Sequence, residues 1–315
     1  MNANEFPMKR LSRAPICGLI VGIIASICSC SVASADNIVL IGFWPPTNEM
    51  LRQFSTSPVQ NPGGWMGQNW NGLGHDVHAF FPEFPPDGDP FNDPFGSPGF
   101  IGSPESDFRV DYQDTSADFW DVMDTLNPRG IITFSWGDFD DRWEIERVDG
   151  GHFGGSTPPF DWEGDGNGVL LPTQETIDPR SWDAISTYRN GNRLQSQLPV
   201  DDIVSATSAL GLANVFIDET GTGGNYLSGF LGLHGLYYNS LHNDPNDPFW
   251  NIAAGHIHVG SGLSVADAQL LSEVTLNQTL LYINRGGIPE PGFAPIMELF
   301  VVGMGLHRRR RKAVC

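Results

Sequence analysis

Three stretches of the chain bring reactive polar side chains to the ends of predicted strands, where open α/β sheets build their sites. The first is Gly42-Phe43-Trp44-Pro45-Pro46-Thr47-Asn48. The second is Trp143-Glu144-Ile145-Glu146-Arg147, a little past the third predicted strand. The third pairs Gly223-Gly224-Asn225-Tyr226-Leu227-Ser228, leading into a helix, with His256-Ile257-His258-Val259 on the next strand. Hydroxyl, imidazole and carboxylate are the group types of nucleophilic acyl transfer. Glycines ahead of a helix also leave backbone N–H groups open to an oxyanion.

Metal chemistry competes with that reading. His256 and His258, at i and i+2 of a strand, point to one face, and His75 and His78 offer further imidazoles. Residues 161–168 carry acids at alternating positions before a glycine, as in part of a calcium loop, but Pro172 stands where the closing acid belongs. Neither pattern is complete, so the expectation is a site with no metal and no cofactor. Plain structural readings also stand. Ser228 suits a helix start, His258 suits a buried core, and Glu146-Arg147 reads as a surface ion pair or a solvated loop.

The elements that must hold these groups follow from apolar runs and their breaks. Short apolar runs predict strands at residues 37–41, 76–81, 130–134, 213–217 and 255–259. Helical spacing predicts helices at 48–54, 116–126, 200–210, 226–241 and 265–284, with Ser264 placed to cap the last. Residues 82–105 and 150–179, rich in Pro, Gly and Asp, read as irregular insertions. Strands alternating with helices predict a three-layer α/β/α domain with a mixed, mainly parallel sheet.

GFWPPTN, QLPV, GGNYLSGF and GHIHV, in that order, resemble the motifs of pyroglutamyl peptidase I (pyrrolidone-carboxylate peptidase). That family shows a GFxPF turn, a Glu-Arg pair, an AGxYLCN-type nucleophile segment and an F-I/V-H-V-P strand. The resemblance spans residues 37–283 apart from the two insertions. It implies a hydrolase that removes an N-terminal pyroglutamyl residue. Carried over by position, the nucleophile falls on Ser228, the base on His258 and the acid on Glu146. Phe43 and Trp44 would hold the substrate ring, with Gly223 and Gly224 beside the reacting carbonyl. Ser228 stands where the family has cysteine, and Pro46 replaces its second pocket phenylalanine. The resemblance therefore implies either a diverged Ser/His/Glu hydrolase of small amides or esters, or a binding or matrix protein without turnover on the same fold.

Both ends of the chain read as addresses. Lys9, Arg10 and Arg13 precede an apolar stretch at 16–27, and Ala33-Ser34-Ala35 supplies a cleavage site, the layout of a secretory signal peptide over residues 1–35. Modification at Cys30 is a lipoprotein alternative. At the other end, Ile288-Pro289-Glu290-Pro291, an apolar run at 293–306 and Arg308 to Arg311 resemble the PEP-CTERM sorting tail, which an exosortase cuts. The expected product spans residues 36–287, held at the membrane through residues 288–315 before processing and then placed in the cell envelope or extracellular matrix. Its nine arginines and no lysines face 34 acidic residues, a charge that disfavours nucleic-acid binding. The cysteines are Cys17, Cys28, Cys30 and Cys315, all in the end segments. Disulfides, thiolate ligands and a cysteine nucleophile are thus excluded from the body.

Overall fold

The computed structural model describes residues 35–43, 46–58, 60–82, 112–149, 193–221 and 227–289. Its strands are β1 Asp36–Gly42, β2 His75–Phe80, β3 Gly130–Trp136, β4 Arg142–Glu146, β5 Val148–Asp149, β6 Leu194–Gln195, β7 Asn214–Asp218 and β8 Ala253–Val259. The α-helices are α1 Thr47–Leu51, α2 Tyr112–Leu126, α3 Val200–Ser208, α4 Leu227–Leu241 and α5 Val265–Asn284. Six strands form one sheet in the order β2-β1-β3-β8-β4-β7, and β5 pairs with β6 in a small second ladder. The first four strands of that sheet are mutually parallel. β4 runs antiparallel to β8 and parallel to β7, so the sheet is mixed and mainly parallel.

Alternation along each strand separates two cores. Ile38, Leu40, Ile132, Phe134, Trp143, Ile145, Ile257 and Val259 pack on one face with residues from α1, α3 and α5. Val39, Ile41, Phe43, Ile131 and Ala254 pack on the other with Phe119 of α2 and Phe230 of α4. The expected three-layer arrangement follows, because strands apolar on both faces need cover on both. The cap expected on α5 is present: Ser264 Oγ accepts from the Asp267 N–H at 3.1 Å. Among the described residues no helix is long and apolar enough to cross a membrane. The two insertions, the leader stretch and the apolar tail lie outside the described residues.

One expectation is corrected. Glu146-Arg147 is neither a surface ion pair nor part of a solvated loop. Trp143 and Ile145 alternate with Glu144 and Glu146, which makes residues 142–146 a strand with four of its five side chains buried. Arg147 turns outward to Asp201 and Glu219, at 3.2 and 2.8 Å. The acids sit on the inner face because the ladder to β8 fixes the pleat, and hydropathy alone does not show that.

His234 of α4 is fully buried, with Nδ1 2.7 Å from Phe230 O and Nε2 3.0 Å from Ser116 Oγ. A neutral ring satisfies both contacts, donating to the carbonyl and accepting from the hydroxyl. Burial pulls its pKa down to about 4. As pH falls below 6.5 the unfolded chain takes up this proton first, and the folded state loses ground until about pH 4. The expected result is roughly 3 kcal/mol less stability at pH 4 than at pH 7 from this residue alone. Urea unfolding of the protein and of His234→Gln at the two pH values checks it; the same pH dependence in both would contradict it.

Candidate functional site

The site lies on the face of the sheet that α4 covers. On that face β3 presents Thr133 and Ser135, β8 presents His256 and His258, and β4 presents Glu144 and Glu146. Ladder register aligns Thr133 with His256, Ser135 with His258, and Glu144 with His258. Asp218 ends β7 beside Glu146, and Asp149 follows on β5. All of these side chains are buried.

The helix makes room for them. A Cβ on Gly232 would collide with Asp149 Oδ2 and stand 2.9 Å from His256 Cβ, so only glycine lets α4 come this close. From Gly232 the helix descends over Ile131 and Thr133 at Gly235, and Asn239 then donates to Asn251 O at 3.0 Å, just ahead of β8. Helix and strand thus run in opposite directions. One turn back from Gly232 rises by about 6 Å, and the step from His256 to His258 rises by about 6.6 Å the same way. Ser228, half-buried in the first turn of α4, precedes Gly232 by four residues and shares its stripe of the helix, on the His258 side of His256.

Glu146 Oε1 is 3.4 Å from His258 Nε2, within ion-pair reach. The two are not aligned as a hydrogen bond, and the buried Glu146 oxygens and His258 Nε2 find no N–H or hydroxyl partner among the described residues, while the Glu146 carboxyl shares a hydrogen bond with the carboxyl of Asp149. Burial pushes the Glu146 carboxyl well above the ordinary carboxylate range, and the charges of Asp149, Asp218 and Glu144 push it further. Burial pulls His258 down to about 4; Asp218 opposes this and Arg142 adds to it. Glu144 is also raised by burial, against the pull of Arg142 Nη1 at 3.1 Å. With Nε2 turned to Glu146, Nδ1 is the His258 nitrogen left to accept a proton.

His256 is held differently. Thr133 Oγ1 donates to Gly255 O at 3.2 Å and stands 2.7 Å from His256 Nδ1. When the hydroxyl gives its one proton to Gly255 O it accepts from Nδ1–H, and in that tautomer the lone pair is on Nε2, 2.9 Å from Ser135 Oγ. Burial and the neighbouring His258 hold this ring neutral.

Of the residues singled out in the sequence, the fold brings Glu146 and His258 together, and Ser228 stands in the first turn of the helix that covers their face. Phe43 is buried in the apolar cluster that also contains Leu227, Phe230 and Leu231 of α4, the helix that bears Ser228. Trp44, Gly223 and Gly224 lie outside the described residues, as does the segment with calcium-loop spacing. His75 and His78 are elsewhere, at 2.9 Å from Asn284 Oδ1 and 3.1 Å from Asn37 Oδ1. Sequence reasoning missed Asp149, Asp218, Thr133 and Ser135. For Thr133 and Ser135 a signal existed, two hydroxyls at alternating positions of an otherwise apolar strand.

No protein-family model and no curated protein matches the sequence. Among solved structures the chain is similar to the pyrrolidone carboxyl peptidase from Thermococcus litoralis, with a TM-score of 0.49 and 14% identity over 81% of this chain and 99% of that one. A pyrrolidone carboxyl peptidase from Pyrococcus furiosus gives 0.48 and 12% over 78% and 99%. The pyroglutamyl peptidase I from Bacillus amyloliquefaciens gives 0.46 and 15% over 78% and 95%. At these identities and scores the likenesses assign no activity to this chain. Its α/β class follows from its own ladders.

Proposed function

We propose that the chain is an exported hydrolase of the pyroglutamyl peptidase type, with Ser228, His258 and Glu146 as its diverged site. The observation that carries this reading is the 3.4 Å approach of Glu146 Oε1 to His258 Nε2 on the face covered by the helix that bears Ser228. The order of the four sequence motifs agrees with it. Ser228 Oγ attacks the carbonyl of a small amide or ester while His258 Nδ1 takes its proton, and Glu146 stabilises the imidazolium. Backbone N–H groups at the start of α4 hold the oxyanion. His258 then protonates the leaving group, and water releases the acyl group by the same path. The terminal segments extend the proposal: a signal peptide directs export, and an exosortase-type protease processes the tail at the membrane.

A second reading, a binding or matrix protein without turnover, is favoured by the carboxyls around Glu146. They raise its pKa, and in its protonated form the acid does not support an imidazolium. Labelling of the purified protein by a fluorophosphonate probe separates the two. The expected result is labelling that Ser228→Ala abolishes. A folded protein that stays unlabelled across the alkaline range supports the binding reading and overturns the first.

A further inference from the structure

We propose that Glu146, His256 and His258 form a binding site for a divalent transition-metal ion of the zinc class. One ligand atom from each lies within 4.8 Å of the others, and all three side chains are buried. Two imidazoles and one carboxylate are a zinc donor set, with the fourth position left for water or another ligand. Tetrahedral zinc separates its ligand atoms by about 3.3 Å at these bond lengths. The 3.4 Å between Glu146 Oε1 and His258 Nε2 is already of that size.

Two independent observations point to a cation. Nε2 of His258 and the oxygens of Glu146, a side chain 1% exposed, find no N–H or hydroxyl partner among the described residues, and the hydrogen bond Glu146 does make is with another acid, Asp149. A buried polar atom without a partner marks a place for water or an ion, and here the atoms are metal donors that converge. The second observation is the hold on His256. In the tautomer in which Thr133 gives its proton to Gly255 O and accepts from Nδ1–H, the lone pair sits at Nε2. A metal-bound histidine is oriented by this kind of outer contact. The Ser135 hydroxyl now at Nε2 needs only to rotate away. Asp149, Asp218 and Glu144 crowd Glu146 with further carboxyls, and a dication would offset the charge they carry when ionised.

The site shares Glu146 and His258 with the proposed hydrolysis but not Ser228. A metal ion takes up the groups that make His258 a working base, so metal binding and serine labelling are expected to exclude each other. The test is titration of the purified, metal-free protein with Co²⁺, followed by visible d–d absorption, with Zn²⁺ as competitor. One equivalent should bind with the intense absorption of a tetrahedral site. Glu146→Gln and His256→Gln should each weaken binding by at least about 100-fold, and the outer-contact variant Thr133→Val by about 10–100-fold. Thr133→Val keeps the shape of the side chain and serves where a ligand variant fails to fold. Ser228→Ala should bind Co²⁺ as the unaltered protein does, so loss of labelling and loss of metal are read separately. Binding without the tetrahedral spectrum, or binding unchanged in the folded ligand variants and in Thr133→Val, would place the ion on exposed carboxylates and overturn the proposal.

Discussion

Glu146→Gln is expected to lower the rate of fluorophosphonate labelling, and of any turnover, by on the order of 10³–10⁴-fold. The substitution keeps the shape of the side chain but removes the charge that supports imidazolium at His258 Nε2, 3.4 Å away. The same residue sets the pH profile. His258 is neutral above about pH 4, so its protonation does not limit the rate near neutrality. Glu146 does limit it, because burial and the adjacent acids raise its pKa, and only the ionised carboxylate is competent. Activity should therefore climb as pH rises through that raised value, and the climb should be absent in Glu146→Gln. The ionised form is also the less stable one: a carboxyl whose folded pKa is raised costs the folded state stability as pH climbs through that value. A rate that falls with pH over this range would show that the protonated acid is the working form and would remove Glu146 from its role as the support of the imidazolium.

How much of this was readable in the chain depends on the range of the interaction that decides each feature. Runs such as Ile131-Ile132 in β3 and Ile257 in β8 declare buried strands, and the spacing from Val265 to Asn284 with Ser264 ahead of it declares a capped helix. These are local signals, and the structure keeps them. β4 was not readable in the same way. Its Arg142, Glu144 and Glu146 suggest solvent, and only pairing with β8 turns the two acids inward. The Glu146–His258 pair could be drawn from the sequence only through the order of motifs, since 112 positions separate the two residues. Asp149 and Asp218 carried no motif at all. They reach the site because β5 follows β4 at once and β7 lies against β4, and neither pairing is written in the residues themselves.

Trp143→Ala should cost about 3–5 kcal/mol, the range for removing a fully buried aromatic side chain. In a domain of this size that lowers the melting temperature by about 6–20 °C. Trp143 is fully buried on the face of β4 turned away from the site, with its ring centroid 5.8 Å from that of Phe134. It therefore touches none of the proposed reacting groups, yet with Ile145 it is the apolar anchor that seats the strand and holds Glu144 and Glu146 inward. Trp143→Phe makes the informative contrast. The indole Nε1–H is buried without a hydrogen-bond partner among the described residues, so phenylalanine loses volume but also removes an unsatisfied donor. The expected cost is about 1–2 kcal/mol, clearly below that of alanine, because most of the ring volume stays. Thermal unfolding of the two variants, read beside their labelling rates, separates the strand's stability from its chemistry. A phenylalanine variant as unstable as the alanine one would show that the indole N–H is satisfied after all. Labelling that survives in the folded alanine variant at the unaltered rate would show that Glu146 keeps its place without the anchor.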